Sequence, residues 1–250
     1  MSFKGTFTYA HNKVLEYDEP DFQKYPNISR VGHSVDQQLL YIAERLFIDD
    51  SEVQRNPKQN LGGWVSGGDI KYKNLPDVNG NYDNVIDSND RQYTGMPTTP
   101  EIVYGFGPSF RYKKFDFSFF FQGAARVSIM MNGIHPFGAE GTRNVLQFIA
   151  DDYWSETNQN IYAEYPRLSK RDNENNTKAS TYWQRNGAFL KLKNLEVGFN
   201  HKFFRVYLRG SNLLTFSPFK YWDPEMGSGS GLSYPTQRVF NVGVQFSINK

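Results

Sequence analysis

Five oxygen-bearing side chains, Asp77, Asn79, Asn81, Asp87 and Asp90, fall within one short acidic stretch. Calcium takes six to eight oxygens, supplied by alternating Asp and Asn on a turning backbone. Asp77-Val-Asn79-Gly80, followed by Ile86-Asp87-Ser-Asn-Asp90, has the character of half such a loop, so Ca2+ is a candidate cofactor there. The same residues also build Asx turns, in which a side-chain oxygen accepts from the backbone two residues on. The sequence leaves both readings open.

A second chemistry comes from adjacent aromatic pairs in polar surroundings: Tyr153-Trp154, Tyr182-Trp183 and Tyr221-Trp222. A flat ring with a polar handle can stack on the C–H face of a sugar and orient it. Trp154, Tyr182, Trp183, Tyr221 and Trp222 are therefore the expected substrate contacts; the competing role is packing loops or lining a membrane interface. The histidines His11, His33, His135 and His201 share no ligand spacing. Asp49-Asp50 and Asp151-Asp152 have no accompanying nucleophile and read as solvated loop charges. No metalloprotease, nucleophile-elbow or phosphate-loop pattern occurs, so the reading is that of a protein that is not an enzyme.

What positions these residues is a set of strands. Phe115, Phe117, Phe119 and Phe121 alternate with Asp116, Ser118, Phe120 and Gln122, and Phe240, Val242, Val244, Phe246 and Ile248 repeat the pattern. Successive side chains of a strand point to opposite faces. Segments of roughly ten residues, apolar on one face and polar on the other, are the mark of an outer-membrane barrel wall. An antiparallel sandwich in water also alternates. The pattern predicts strands over about 2–14, 64–73, 101–112, 115–127, 187–200, 203–214 and 237–249, and helical turns within 35–48 and 142–154. Tight turns at Tyr112-Lys113-Lys114 and Asn200-His201-Lys202 alternate with long polar stretches, as in a barrel with short turns at one end and long loops at the other.

Composition agrees. The chain has 250 residues with 21 Phe and 16 Tyr, yet its mean hydropathy is −0.64. An aromatic-rich but polar chain suits one-sided strands with polar loops. The net charge of +2 gives no footprint for nucleic acid. The absence of cysteine excludes disulfides and thiolate metal sites. The first residues, Met1-Ser-Phe-Lys-Gly-Thr-Phe-Thr-Tyr, alternate like a strand rather than a leader peptide. The expectation is a C-terminal portion of a longer exported chain.

Several blocks, in order, resemble the SusC/RagA-type TonB-dependent outer-membrane transporters. They are Gly67-Gly-Asp-Ile-Lys-Tyr-Lys73 with Asp77-Val-Asn-Gly80; Val85-Ile-Asp-Ser-Asn-Asp90; Gly95-Met-Pro-Thr-Thr-Pro-Glu-Ile-Val-Tyr-Gly-Phe106; the stretch from Trp183 to Gly198; and the run from Arg205 to Thr215 with Asp223-Pro-Glu225. The resemblance implies an all-β fold: the C-terminal strands of a 22-stranded antiparallel transmembrane β-barrel, with long extracellular loops and short periplasmic turns. It implies that residues 1–250 are one such portion, with plug, TonB box and signal peptide elsewhere. Implied partners are the remainder of the barrel and plug, a SusD-like surface lipoprotein, TonB, outer-membrane lipid, and a glycan or peptide substrate. In the acidic stretch the family form is Asp-x-Asn-Gly-Asp-Gly-x-Ile-Asp-x-x-Asp; here Asn81-Tyr-Asp-Asn84 interrupts that spacing. A rival reading is a self-contained soluble β-rich carbohydrate-binding module, which would have to cover the Phe-rich faces with a second sheet.

Overall fold

The computed structural model describes residues 1–134, 136, 144–170 and 173–247. His135, the first residues of the 142–154 segment and Ile248 of the last expected strand lie outside them. Strand β1 (Ser2–Tyr9) leads into a long excursion. The excursion carries β2 (Gln38–Tyr41), β3 (Ala43–Leu46), helix α1 (Asp50–Arg55), β4 (Lys58–Gln59), β5 (Ile70–Tyr72), β6 (Val85–Ile86) and β7 (Arg91–Thr94). Strands β8 (Ile102–Tyr112) and β9 (Phe115–Ala125) follow as a hairpin. A second excursion holds β10 (Ser128–Met130), α2 (Gln147–Asp151), α3 (Glu174–Thr177) and β11 (Gln184–Asn186). Then come β12 (Phe189–Asn200), β13 (Phe204–Phe216), a third excursion and β14 (Val239–Phe246).

Six of these strands make one antiparallel sheet in the order β1-β8-β9-β12-β13-β14, each long strand beside its neighbour in the chain. Its register carries the apolar parity across the wall. Phe110 lies opposite Phe117, Phe117 opposite Val197, Val197 opposite Leu208, and Leu208 opposite Val242. Among the described residues this face meets no second sheet: Phe117 is 38%, Val197 42%, Leu208 53% and Val242 76% exposed. A one-residue slip would turn the whole set over, so the alternation fixes the register. Among the described residues β1 pairs only with β8 and β14 only with β13, leaving both outer edges of the sheet unpaired.

Phe120, the exception on the polar parity, has a packing reason. Its ring lies across Gly105, where an added Cβ would sit 2.7 Å from it. An aromatic over a strand glycine covers backbone that would otherwise be bare. Tyr207 covers Gly243 in the same way. Nearby, Arg205 bridges Asp116 at 2.5 Å and Glu196 at 2.6 Å across the bare backbone of Gly198.

The water-excluded core lies in the excursions, not in the wall. Leu40, Leu46, Ile70, Ile86, Ile129, Met130, Ile149 and Trp154 pack into one cluster with Trp183 and Phe219. Two expectations fail here. Residues 35–48 form β2 and β3, paired with β7 and β5, rather than helical turns. Leu40 and Tyr41 are buried in succession, which breaks the two-residue alternation and mimics a helical period. Residues 64–73 supply only the short β5 within the excursion rather than a wall strand, because Gly67 packs on the backbone of Asp49 and Gly68 takes φ +81°. Within 142–154, the helix is α2.

Candidate functional site in the loop layer

The three excursions meet at one end of the wall and form a layer fastened by buried polar groups. Asp69 is fully buried and accepts from Asn176 Nδ2 at 2.8 Å, while Arg167 pairs with it at 2.7 Å. Asn175, also fully buried, donates to the Ile70 carbonyl and accepts from Gln59. Gln59 in turn accepts from the Tyr72 N–H at 2.6 Å. Removing any one member would strand a partner without water, so these bonds hold the first and second excursions in one arrangement.

The carboxylate pairs expected as solvated loop charges are fasteners too. Asp49 caps α1 by accepting from the Glu52 N–H at 2.7 Å. Asp50 accepts from Gly67, and Asp152 from Asn160 and Glu164. Glu52 takes a two-armed contact from Arg45, the Ile48 N–H and Lys71. Burial alone would raise its carboxyl, but these bonds, Arg45 first, outweigh it and hold the value at about 2. The third excursion is pinned to the wall by Lys191, 1% exposed, which binds Asp223 and reaches Glu225 at 2.5 Å; Lys193 also reaches Glu225, at 2.8 Å.

The expected aromatic contacts lie within this packing. Trp154 is 6% exposed, with its indole against Gly68. Trp183 is also 6% exposed and donates from Nε1 to the Asn176 carbonyl at 2.7 Å; what little shows lines a cleft shared with Tyr165, Arg167 and Lys178. Tyr182 stacks edge-on to Trp183 and donates to the Ala163 carbonyl at 2.7 Å. Its hydroxyl is pushed up by burial. Tyr221 donates to Glu164 beneath the Arg185 guanidinium. Trp222 packs on Phe219 and donates to the Gly227 carbonyl at 3.0 Å. For Trp154 and Trp183, burial leaves no open ring face on which a sugar could stack. Tyr182, Tyr221 and Trp222 are half-buried.

Trp64, in none of the Tyr-Trp pairs, is 78% exposed. It follows Gly62 and Gly63, whose φ angles of +89° and +73° suit glycine. An added Cβ on Gly62 would collide with Glu174. The glycine pair lets the turn press against α3 and leaves the indole in solvent. Tyr162 stands 73% exposed elsewhere in the layer. The sequence signal for Trp64 was the double glycine before an aromatic, which is ordinary turn composition.

The acidic residues do not converge. Asp77 Oδ1 accepts from the Asn79 and Asn81 N–H groups, both at 2.9 Å. Asp87 accepts from Asn89 at 2.8 Å. Asp90, 3% exposed, accepts from Leu75 at 2.7 Å and from Asp87 at 2.8 Å. Asn79 and Asn81 are exposed. Among the described residues no group of three or more His, Cys, Asp or Glu comes together to hold a metal. Asp77 and Asp87 thus each spend one carboxylate oxygen on backbone donors, and Asp90 both, in two separate turns.

No family model matches the chain. It is 30% identical over 273 residues to TonB-dependent receptor P3 of Formosa agariphila, covering 98% of this chain and 26% of that receptor. It is 28% identical over 269 residues to TonB-dependent receptor P26 of the same organism, covering 93% and 26%. The chain is thus similar to one part of the TonB-dependent receptors. It spans about a quarter of the length of these relatives. Two solved structures share its fold. The RagAB peptide transporter superposes with TM-score 0.65 at 17% identity, over 98% of this chain and 26% of that one. The RagAB peptide importer in its open-open state gives 0.64 at 18%, with the same coverage. The six-stranded sheet, with its bare apolar face, is consistent with a fragment of a TonB-dependent barrel.

Proposed function

We propose that this chain is a C-terminal section of a 22-stranded outer-membrane transporter that imports glycans. Its strands supply part of the wall, and its loop layer supplies part of the outer vestibule and the seat of a SusD-like surface lipoprotein. Plug and TonB box lie elsewhere in the whole protein, and import is energised through TonB. The chain has no catalytic role. The observation that carries this reading is the uncovered apolar face running in register across all six strands. In water such a face would draw a second layer over it; in hydrocarbon it needs none. The long excursions then lie on the outer side and the short turns on the periplasmic side.

Peptide import is the second reading, favoured by the fold likeness to the RagAB peptide transporter. The two separate by binding. In the intact protein with its lipoprotein partner, oligosaccharide affinity is measured against peptide affinity, and again after Trp64→Ala. An exposed indole used as a stacking surface is worth about three- to tenfold in affinity. Loss of that size for oligosaccharide supports glycan import through this layer. Peptide binding without oligosaccharide binding moves the assignment to peptide. Binding of neither removes nutrient capture from the proposal.

A further inference from the structure

The end of the wall opposite the loop layer carries charge that no ion pair among the described residues neutralises. The β8–β9 turn places Lys113 and Lys114 beside Tyr112 and Phe115, which lie opposite each other. The β12–β13 turn places Lys202 beside Phe203. The two turns are neighbours: Phe115 lies opposite Phe199, and the Asn200 N–H donates to the Lys114 carbonyl at 2.6 Å. Lys113 Nζ sits 5.4 Å from the centre of the Tyr112 ring and Lys202 Nζ 5.3 Å from that of Phe203. Tyr112, Phe115 and Phe203 are 72%, 56% and 59% exposed. The nearby carboxylate, Asp116, is taken by Arg205 and Asn200. Among the described residues, none of the three lysines forms an ion pair.

We propose that this basic and aromatic rim is a binding site for the phosphodiester headgroups of anionic phospholipid. The inference rests on the membrane reading above. Aromatic rings on the apolar face sit at the depth where hydrocarbon gives way to headgroups. A lysine whose stem lies along such a ring carries its ammonium outward to that level. Three uncompensated ammonium groups on two hydrogen-bonded turns then face the phosphate layer together. A cation near an anionic surface gains about fivefold in partitioning, so three acting together give at most about a hundredfold preference for anionic over zwitterionic lipid.

The test uses the intact protein that contains this chain, placed in vesicles of phosphatidylglycerol and phosphatidylethanolamine. It is then extracted, and the retained lipids are counted by native mass spectrometry. Phosphatidylglycerol should be enriched in the wild type. In the triple variant Lys113→Gln, Lys114→Gln, Lys202→Gln its enrichment should fall at least tenfold. The corresponding triple Lys→Arg variant should restore it, which separates lost charge from lost folding. Lys58→Gln in the loop layer should leave it unchanged. Equal enrichment in wild type and the Gln variant overturns the proposal, as does displacement of the lipid by inorganic phosphate, which marks a site for free anions. A protein that enters the vesicles without headgroup preference overturns this site alone. One that does not enter them overturns the membrane reading as well.

Discussion

Glu52 shows how a single carboxylate can govern the loop layer. Its folded-state value of about 2 lies below the ordinary 4.5. Its stabilising contribution is therefore complete above pH about 4.5 and is lost as the pH falls toward 2, amounting to about 3 kcal/mol at neutral pH. Limited proteolysis of the first excursion should accelerate through that window. Glu52→Gln should raise cleavage at neutral pH and flatten the acid dependence. Unchanged proteolysis in the variant would mean that Arg45 and Lys71 find other partners. At this scale the sequence was legible for residue type and much less so for role. Trp154 and Trp183 look like stacking platforms on paper because a tryptophan beside a tyrosine in a polar stretch suggests a surface. Burial turns both inward, and no local pattern encodes that. Asp77 and Asp87 show the converse. Their Asx-turn bonds were already legible in the spacing, and both form.

The wall strands were readable because one face meets a single medium for its whole length, so a period of two survives uninterrupted. The strands of the excursions are only two to four residues long, too short for a period to show; β2 and β3 were lost in this way. Glycines mark where the wall's backbones come closest. A Cβ on Gly107 would lie 2.0 Å from the Phe119 carbonyl oxygen and 2.8 Å from the Phe120 Cα, so β8 would have to move off β9. On Gly198 the obstacles are only the ends of Arg205 and Asp116, at 2.6 Å. Gly107→Ala should therefore cost the upper end of the overpacking range, about 3 kcal/mol or more, and Gly198→Ala about 1 kcal/mol. Denaturant titration of the intact protein in detergent checks the order. If Gly198→Ala proves the more damaging, the bridge across it matters more to the wall than the fit of β8 against β9.

For the molecule as a whole, the unpaired edges of β1 and β14 set a requirement. On the proposed membrane reading, each unsatisfied backbone group in hydrocarbon costs several kcal/mol, so the sheet would be complete only when further strands flank it. Expressed alone, the chain should give no monodisperse species in detergent-free buffer, as size-exclusion chromatography with light scattering will tell. A soluble monomer would return the molecule to the carbohydrate-binding module considered from sequence.

Cohesion is also divided in this molecule. Side chains shielded from water are gathered in the excursions, whereas the wall is joined through its main-chain ladder. Ionic clasps, Lys191 with Asp223 and Glu225 among them, help to join the two parts. The outer assembly could thus be exchanged as a cassette between transporters of this lineage. On the proposed reading of the chain as part of an importer, a graft that carries all three excursions and keeps the clasps would bring its cargo preference with it.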